Sequence, residues 1–101
     1  MIVYNVTIKI NRNIADEWLA WQKQEHIPET MATKLFDDYK MYRLLEQDEE
    51  EGITFTVQYF TSSKERYQEY ISAFSAVLRE KAFSRWGNQF TGFRTIMEAV
   101  K

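Results

Sequence analysis

The sequence predicts an α+β domain with the element order β-α-β-β-α-β, and three observations carry that reading. Its 101 residues give room for one hydrophobic core and no second. Segments that alternate apolar and polar residues lie at both ends and twice in the middle. Two longer segments with helical spacing of apolar residues separate them.

The first strand is the clearest. From Ile2 to Ile10 the even positions are Ile2, Tyr4, Val6, Ile8 and Ile10, while Asn5, Thr7 and Lys9 take odd ones, a period of two that marks a half-buried strand. Asn11 or Asn13 then offers a short side-chain oxygen to free backbone amides and opens a helix. Ile14, Trp18 and Trp21 recur at helical spacing, and the helix is expected to run to about His26, because Pro28 disfavours helical geometry at Ile27. Pro28 suits the first position of a further short helical turn, with Met31, Ala32 and Leu35 inward. Phe36 to Gln47 reads as a strand, Asp48 to Gly52 as a polar turn, and Ile53 to Phe60 as the strand that completes a hairpin. Ser62 or Ser63 begins the second helix, and Ser62 with Glu65 matches a capping box. Tyr67, Tyr70, Ile71, Phe74, Val77 and Leu78 form its apolar stripe, Gly87 closes it, and Phe90 to Val100 makes the last strand. Two helices cover only one face of four strands, so the semi-apolar remainder predicts a homodimer.

Composition narrows the function classes. Thirteen basic and fifteen acidic side chains give a net charge of -2, which offers no long-range attraction to phosphate backbones and argues against nucleic acid. There is no cysteine, hence no disulfide framework, thiolate zinc site or cysteine nucleophile. The N-terminus lacks the basic-then-apolar pattern of a leader and no stretch approaches the ~20 apolar residues of a membrane span, so a cytoplasmic location is expected. One histidine makes a transition-metal site within the chain improbable, and a haem with one axial histidine stays compatible with the composition. No glycine-rich phosphate loop or nucleophile elbow is present.

A few residues could carry chemistry. The only histidine, His26, falls at the expected end of the first helix, where the partial negative charge of a helix C-terminus favours a protonated ring and Glu25 and Glu29 could orient it. It is either a general base or a hydrogen-bonding cap. Trp18 and Trp21 are either walls of an aromatic pocket or core. Asn5, Thr7, Gln58 and Arg94 interrupt apolar strands and could anchor a ligand if their faces converge; Arg94, if buried, needs a carboxylate or ligand partner, such as Glu98. The acidic run Asp48 to Glu51 has no calcium-loop spacing and reads as a solvated hairpin tip.

The segments Met1-Ile-Val-Tyr-Asn-Val-Thr7, Trp18-Leu-Ala-Trp21, His26-Ile-Pro28-Glu29, Val57-Gln-Tyr-Phe60 and Phe90-Thr-Gly-Phe-Arg-Thr95 resemble the bacterial domain of unknown function 4286 family, over nearly the whole chain. The resemblance implies the ferredoxin-like, dimeric α+β barrel superfamily with a four-stranded antiparallel sheet, which includes antibiotic-biosynthesis monooxygenases, haem-degrading enzymes and EthD-like proteins. His26-x-Pro28 is similar to the histidine-proline signature of EthD-like members, where a histidine after the first helix borders the cavity, which implies His26 as a candidate site residue. Asn5 resembles the pocket asparagine of the monooxygenases. The second helix has no histidine placed as in haem-binding members, and Phe74 and Ala82 stand where relatives often carry histidines, so no cofactor is expected.

Two functions follow as expectations. In the first, the chain binds a small organic molecule, with Trp18, Trp21, Asn5 and Arg94 as substrate-binding residues, His26 catalytic, and acid/base or monooxygenase-like chemistry. In the alternative it is a non-catalytic homodimeric protein-interaction module.

Overall fold

The computed structural model describes residues 1–101. Strand β1 (Ile2–Asn11) and strand β3 (Gly52–Thr61) are ten residues each and lie in the middle of the sheet; β2 (Asp38–Arg43) and β4 (Phe90–Glu98) are the edges, in the order β2-β3-β1-β4. All neighbours are antiparallel. The period of two in β1 fixes the register. Tyr4 lies opposite Tyr59 on one side and Ile96 on the other, while Asn5 lies opposite Gln58 and Thr95. One face therefore carries Ile2, Tyr4, Ile8, Ile10, Phe55, Val57 and Tyr59, all buried, and the other carries Val3, Asn5, Thr7, Gln58, Phe60 and Met97.

The helices cover the first face. The first helical layer is α1 (Ala15–Trp21), a π-helical turn Gln22–His26, and α2 (Ile27–Ala32); the second is α3 (Lys64–Tyr70), a π-helical turn Ile71–Ser75, and α4 (Ala76–Trp86). The first helix does not stop at His26 as its sequence suggests. The backbone amide of Ile27 bonds the Gln22 carbonyl, five residues back, and helical geometry continues through Pro28. Where the ladder changes from five-residue to four-residue steps a donor can be spared, and the amide that proline lacks falls at that change.

The same widening re-phases the second helix. An uninterrupted 3.6-residue period through Tyr70 would bury Phe74 and Val77, which are instead exposed, and the buried positions become Ser75, Leu78 and Trp86. Ser63, not Ser62, is the N-cap: its hydroxyl accepts from the Arg66 amide at 3.3 Å. No asparagine side chain caps the first helix, which starts from a single 3-10 turn, Arg12–Ile14. β2 is shorter than Phe36 to Gln47, because Phe36 leaves the strand path and is buried among Tyr4, Tyr59 and Tyr70, with ring centroids 5.8, 5.2 and 4.9 Å away. The Arg66 guanidinium donates to the Leu35 and Lys34 carbonyls, at 3.2 and 2.6 Å, and so fastens the end of the first helical layer to the start of the second.

The core has two lobes. One gathers Tyr4, Ile27, Phe36, Tyr59, Tyr70 and Leu78; the other gathers Ile8, Ile10, Trp18, Phe55 and Trp86. Ile10 is fully buried, whereas Val77 stands on the outer face of α4. At matched protein concentration, Ile10→Ala should lower the unfolding free energy by about 3 kcal/mol and Val77→Ala by less than about 0.5 kcal/mol, measured by urea denaturation. Equal losses would contradict this assignment of inner and outer faces.

Candidate functional site

Between the two lobes the sheet and helices do not meet, leaving a cavity of about 510 Å3, within the range of small-molecule sites. Its floor is the covered face of the sheet, with Tyr4, Val6, Ile8, Val57 and Tyr59. Its inner wall comes from the first helical layer, through Trp18, Gln22, His26 and Thr30. Its outer wall comes from Tyr70 and from Leu78, Arg79 and Ala82 of α4. Gly92 and Arg94 of β4 are exposed lining residues, as are Arg79 and Phe83, so the mouth lies between β4 and α4.

The two π turns supply several of these groups. Gln22 and His26 begin and end the first turn, and Ser75, the last residue of the second, receives a hydrogen bond from Arg94 Nη1 at 3.2 Å. Gln22 is only 2% exposed, yet its Oε1 has no hydrogen-bond partner. An amide oxygen held out of water without a donor costs on the order of 1–3 kcal/mol, and Gln22 is one of the residues that line the cavity.

His26 sits mid-helix, so the helix-end charge expected to favour its protonation is absent. Burial instead pushes its pKa below the ordinary 6.5, with Glu29 opposing and nearby Lys81 adding to the drop. Lys81 Nζ donates to Glu29 Oε2 at 2.7 Å, so Glu29 is engaged elsewhere. The ring stacks on Trp21, centroids 4.6 Å apart at 24°, and the Thr30 hydroxyl donates to the His26 carbonyl at 3.1 Å. A neutral imidazole fixed in orientation is suited to accepting a proton. The tyrosines are held in the opposite sense: burial raises the pKa of Tyr4, Tyr59 and Tyr70, the last to about 12, so they stay neutral hydroxyl donors.

The residues singled out in the sequence divide between two faces. His26, Trp18 and Arg94 line the cavity. Trp21 stands behind the wall, between His26 and the ring of Trp86 at 5.8 Å, and positions His26 rather than facing the void. Asn5 is on the opposite face of the sheet, where its Nδ2 donates to Thr7 Oγ1 at 3.1 Å beside Gln58. Arg94 is exposed and makes no salt bridge with Glu98 or any other carboxylate. Gln22 is not among the site residues that the sequence singles out, because a glutamine in a helix carries no signal of burial; its place four residues before His26, on the same helical stripe, is the trace the sequence offers. No three His, Asp or Glu side chains converge as a metal centre would require.

Residues 1–100 match the family described as a domain of unknown function, DUF4286. No curated protein matches the sequence. Among solved structures, the fold is similar to a dimeric ferredoxin-like protein from an uncultured marine organism, with a TM-score of 0.76 at 10% identity, covering 99% of this chain and 95% of that one. It is also similar to an EthD family protein from Bacillus halodurans, with a TM-score of 0.67 at 16% identity and 99% and 100% coverage. SnoaB, a cofactor-independent oxygenase from Streptomyces nogalater, gives 0.63 at 10% identity and 99% and 94% coverage. These likenesses establish the ferredoxin-like α+β fold that the sequence predicts, a fold shared with proteins described as dimeric.

Because His26 is the only histidine, its titration can be followed alone by NMR. Its midpoint should lie below 6.5, Lys81→Met should move it up, and Glu29→Gln should move it down. The unfolded chain takes up the proton that the folded site resists, so this site's contribution to stability is full above about 6.5 and declines as the pH falls below it. A midpoint above 6.5 would show that burial does not dominate at this ring.

Proposed function

The chain belongs to the DUF4286 family, and we propose that it binds a small organic molecule in the cavity between its sheet and helices, as one half of a homodimer. The observation that carries the reading is Gln22: a glutamine amide buried at the wall of a 510 Å3 cavity with an oxygen that the protein leaves unpaired. A chain that only needed a core would gain by filling this space, since a void forfeits the contacts of its lining.

The chemistry proposed for the site is proton transfer. His26, neutral and held by its stacking on Trp21, takes a proton from an acidic C–H or O–H of the guest and becomes imidazolium, while the negative charge left on the guest is stabilised by the Arg94 guanidinium. Formation of such an anion can begin either an isomerisation or a monooxygenase-like reaction, which keeps both chemistries expected from the sequence within one first step. Trp18 and Arg94 act as substrate-binding residues, and Trp21 acts through His26. Asn5 and Thr7 belong to the homodimer face instead.

The dimer reading rests on the uncovered face. Val3, Phe60 and Met97 lie there among Asn5, Thr7 and Gln58, a mixture of apolar and hydrogen-bonding groups suited to a second sheet. The marine relative is itself described as dimeric.

Two measurements test these readings. Native mass spectrometry of protein purified without denaturation should show a bound mass that Ala82→Trp, which fills the cavity, removes; an identical spectrum for both proteins would count against the pocket. In sedimentation the protein should run at roughly twice its 12.2 kDa chain mass, and Met97→Glu should reduce it to one chain. A Met97→Glu protein that remains dimeric would place the interface elsewhere.

A further inference from the structure

We propose that the guest is an organic anion with a flat apolar body, its acidic group held at the cavity mouth by Arg94 and Arg79 and a hydrogen-bond donor on its inner end received by Gln22. The proposal rests on the pocket reading above and names the class of molecule that fits it.

The charge argument comes from what the wall contains. The lining has two formally charged side chains, Arg79 and Arg94, and no aspartate or glutamate. The salt bridges of the chain engage Arg43, Arg66 and Lys81, so no carboxylate lies within 4.0 Å of either lining arginine. Arg94 gives Nη1 to Ser75, and the remaining edges of its planar fork stay available. Both guanidiniums act electrostatically on the hydroxyls of Tyr4 and Tyr70, which puts the two cations at one end of the same space. Two unpaired guanidiniums beside an apolar cavity, with neutral histidine and neutral tyrosines as their only titratable company, form a field that selects an anion.

The body of the guest follows from the walls. Tyr4, Trp18, Tyr59 and Tyr70 present aromatic surface, which favours a ring that can stack or meet them edge-on. Between Phe90 and Arg94 the floor is bare backbone, because Gly92 has no side chain and a Cβ there would come within 2.9 Å of the Thr7 carbonyl oxygen. At the inner end Gln22 lines the cavity, and a turn of its amide brings the unpaired Oε1 to a guest N–H or O–H.

Two dyes with the same rings and the same N–H separate the parts of the proposal. 2-Anilinonaphthalene-6-sulfonate carries an anionic group at the end of the ring system away from its N–H, and N-phenyl-2-naphthylamine does not. The sulfonate dye should bind the intact protein about tenfold or more tightly than the neutral one, as judged by fluorescence titration. Arg94→Met should remove most of that difference while leaving the neutral dye unchanged, and Arg94→Lys should restore part of it. Gln22→Leu should weaken both dyes severalfold, with circular dichroism confirming the fold. Equal binding of the two dyes, insensitive to Arg94→Met but lost in Ala82→Trp, would keep the pocket and overturn the anion. Sulfonate binding indifferent to Gln22→Leu would overturn the donor at the inner end. Dye binding that survives Ala82→Trp, or no binding of either dye, would overturn the pocket reading and this proposal with it.

Discussion

Each helical layer widens once, after seven residues of α-helix, and the arrangement of the cavity depends on those two turns. A regular helix presents positions three or four apart to the sheet, and the π turn makes one such step five: Gln22 to Ile27 in the first layer and Tyr70 to Ser75 in the second. Without the step, Ile27 and Thr30 would rotate away from the core lobe they join, and Phe74 and Val77 would rotate in to fill the space by the tyrosines. The insertion thus keeps Thr30 on the inner wall and, in the second layer, buries Ser75 and Leu78 in place of Phe74 and Val77. Single π turns are rare in helices and concentrate at functional sites, and here two occur at matching places in the two β-α-β halves. Pro28 and the Thr30 hydroxyl, which donates to the His26 carbonyl, hold the first of them where the ladder changes step.

The electrostatics follow from where each charge sits relative to that wall. Ionisable groups deep in the cavity are kept neutral: His26 loses its proton readily and the tyrosines hold theirs. Formal charge is confined to the mouth, on Arg79 and Arg94, where water can still reach it. That distribution avoids the large cost of burying an unpaired ion while leaving a field across the cavity. The Lys81 and Glu29 pair lies outside the wall, yet both members reach His26 electrostatically, so the imidazole is tuned from behind as well as by burial.

How much of this could be read in the residues differs between sheet and helix. A strand repeats every two residues, and the alternation in Ile2 to Ile10 fixes both faces of the sheet, the register and the presence of an uncovered side. The same alternation already set Asn5 opposite to Tyr4, so a pocket containing both Asn5 and Arg94 was at odds with the pattern in β1; Arg94 pairs with Val6, on the Tyr4 face. Helical phase is more fragile, because one inserted residue turns everything after it by about 100°. His26 to Pro28 looked like a stop signal because proline is judged against a four-residue ladder, and no local composition announces a five-residue one. Gln22 became the telling residue only once its burial and its unpaired oxygen were visible in three dimensions.

The two faces of the sheet pose different problems. On the covered side the helices provide more apolar surface than the cavity lets them use. On the uncovered side Phe60 is partly screened by the Lys40 ammonium, 5.9 Å from its ring centroid, and Asn5 and Thr7 bond each other, so the polar groups there are organised without a partner. β4 links the problems, because it is an edge strand exposed along nearly its whole length, with Arg94 on the cavity side and Met97 on the other. Anything that packs against Met97 and Thr95 steadies the strand that carries Arg94, and anything that draws Arg94 inward presses the same strand toward α4 through Ser75. The proposed cavity occupant and the proposed sheet partner would therefore both bear on one element, the strand that carries Arg94 and Met97.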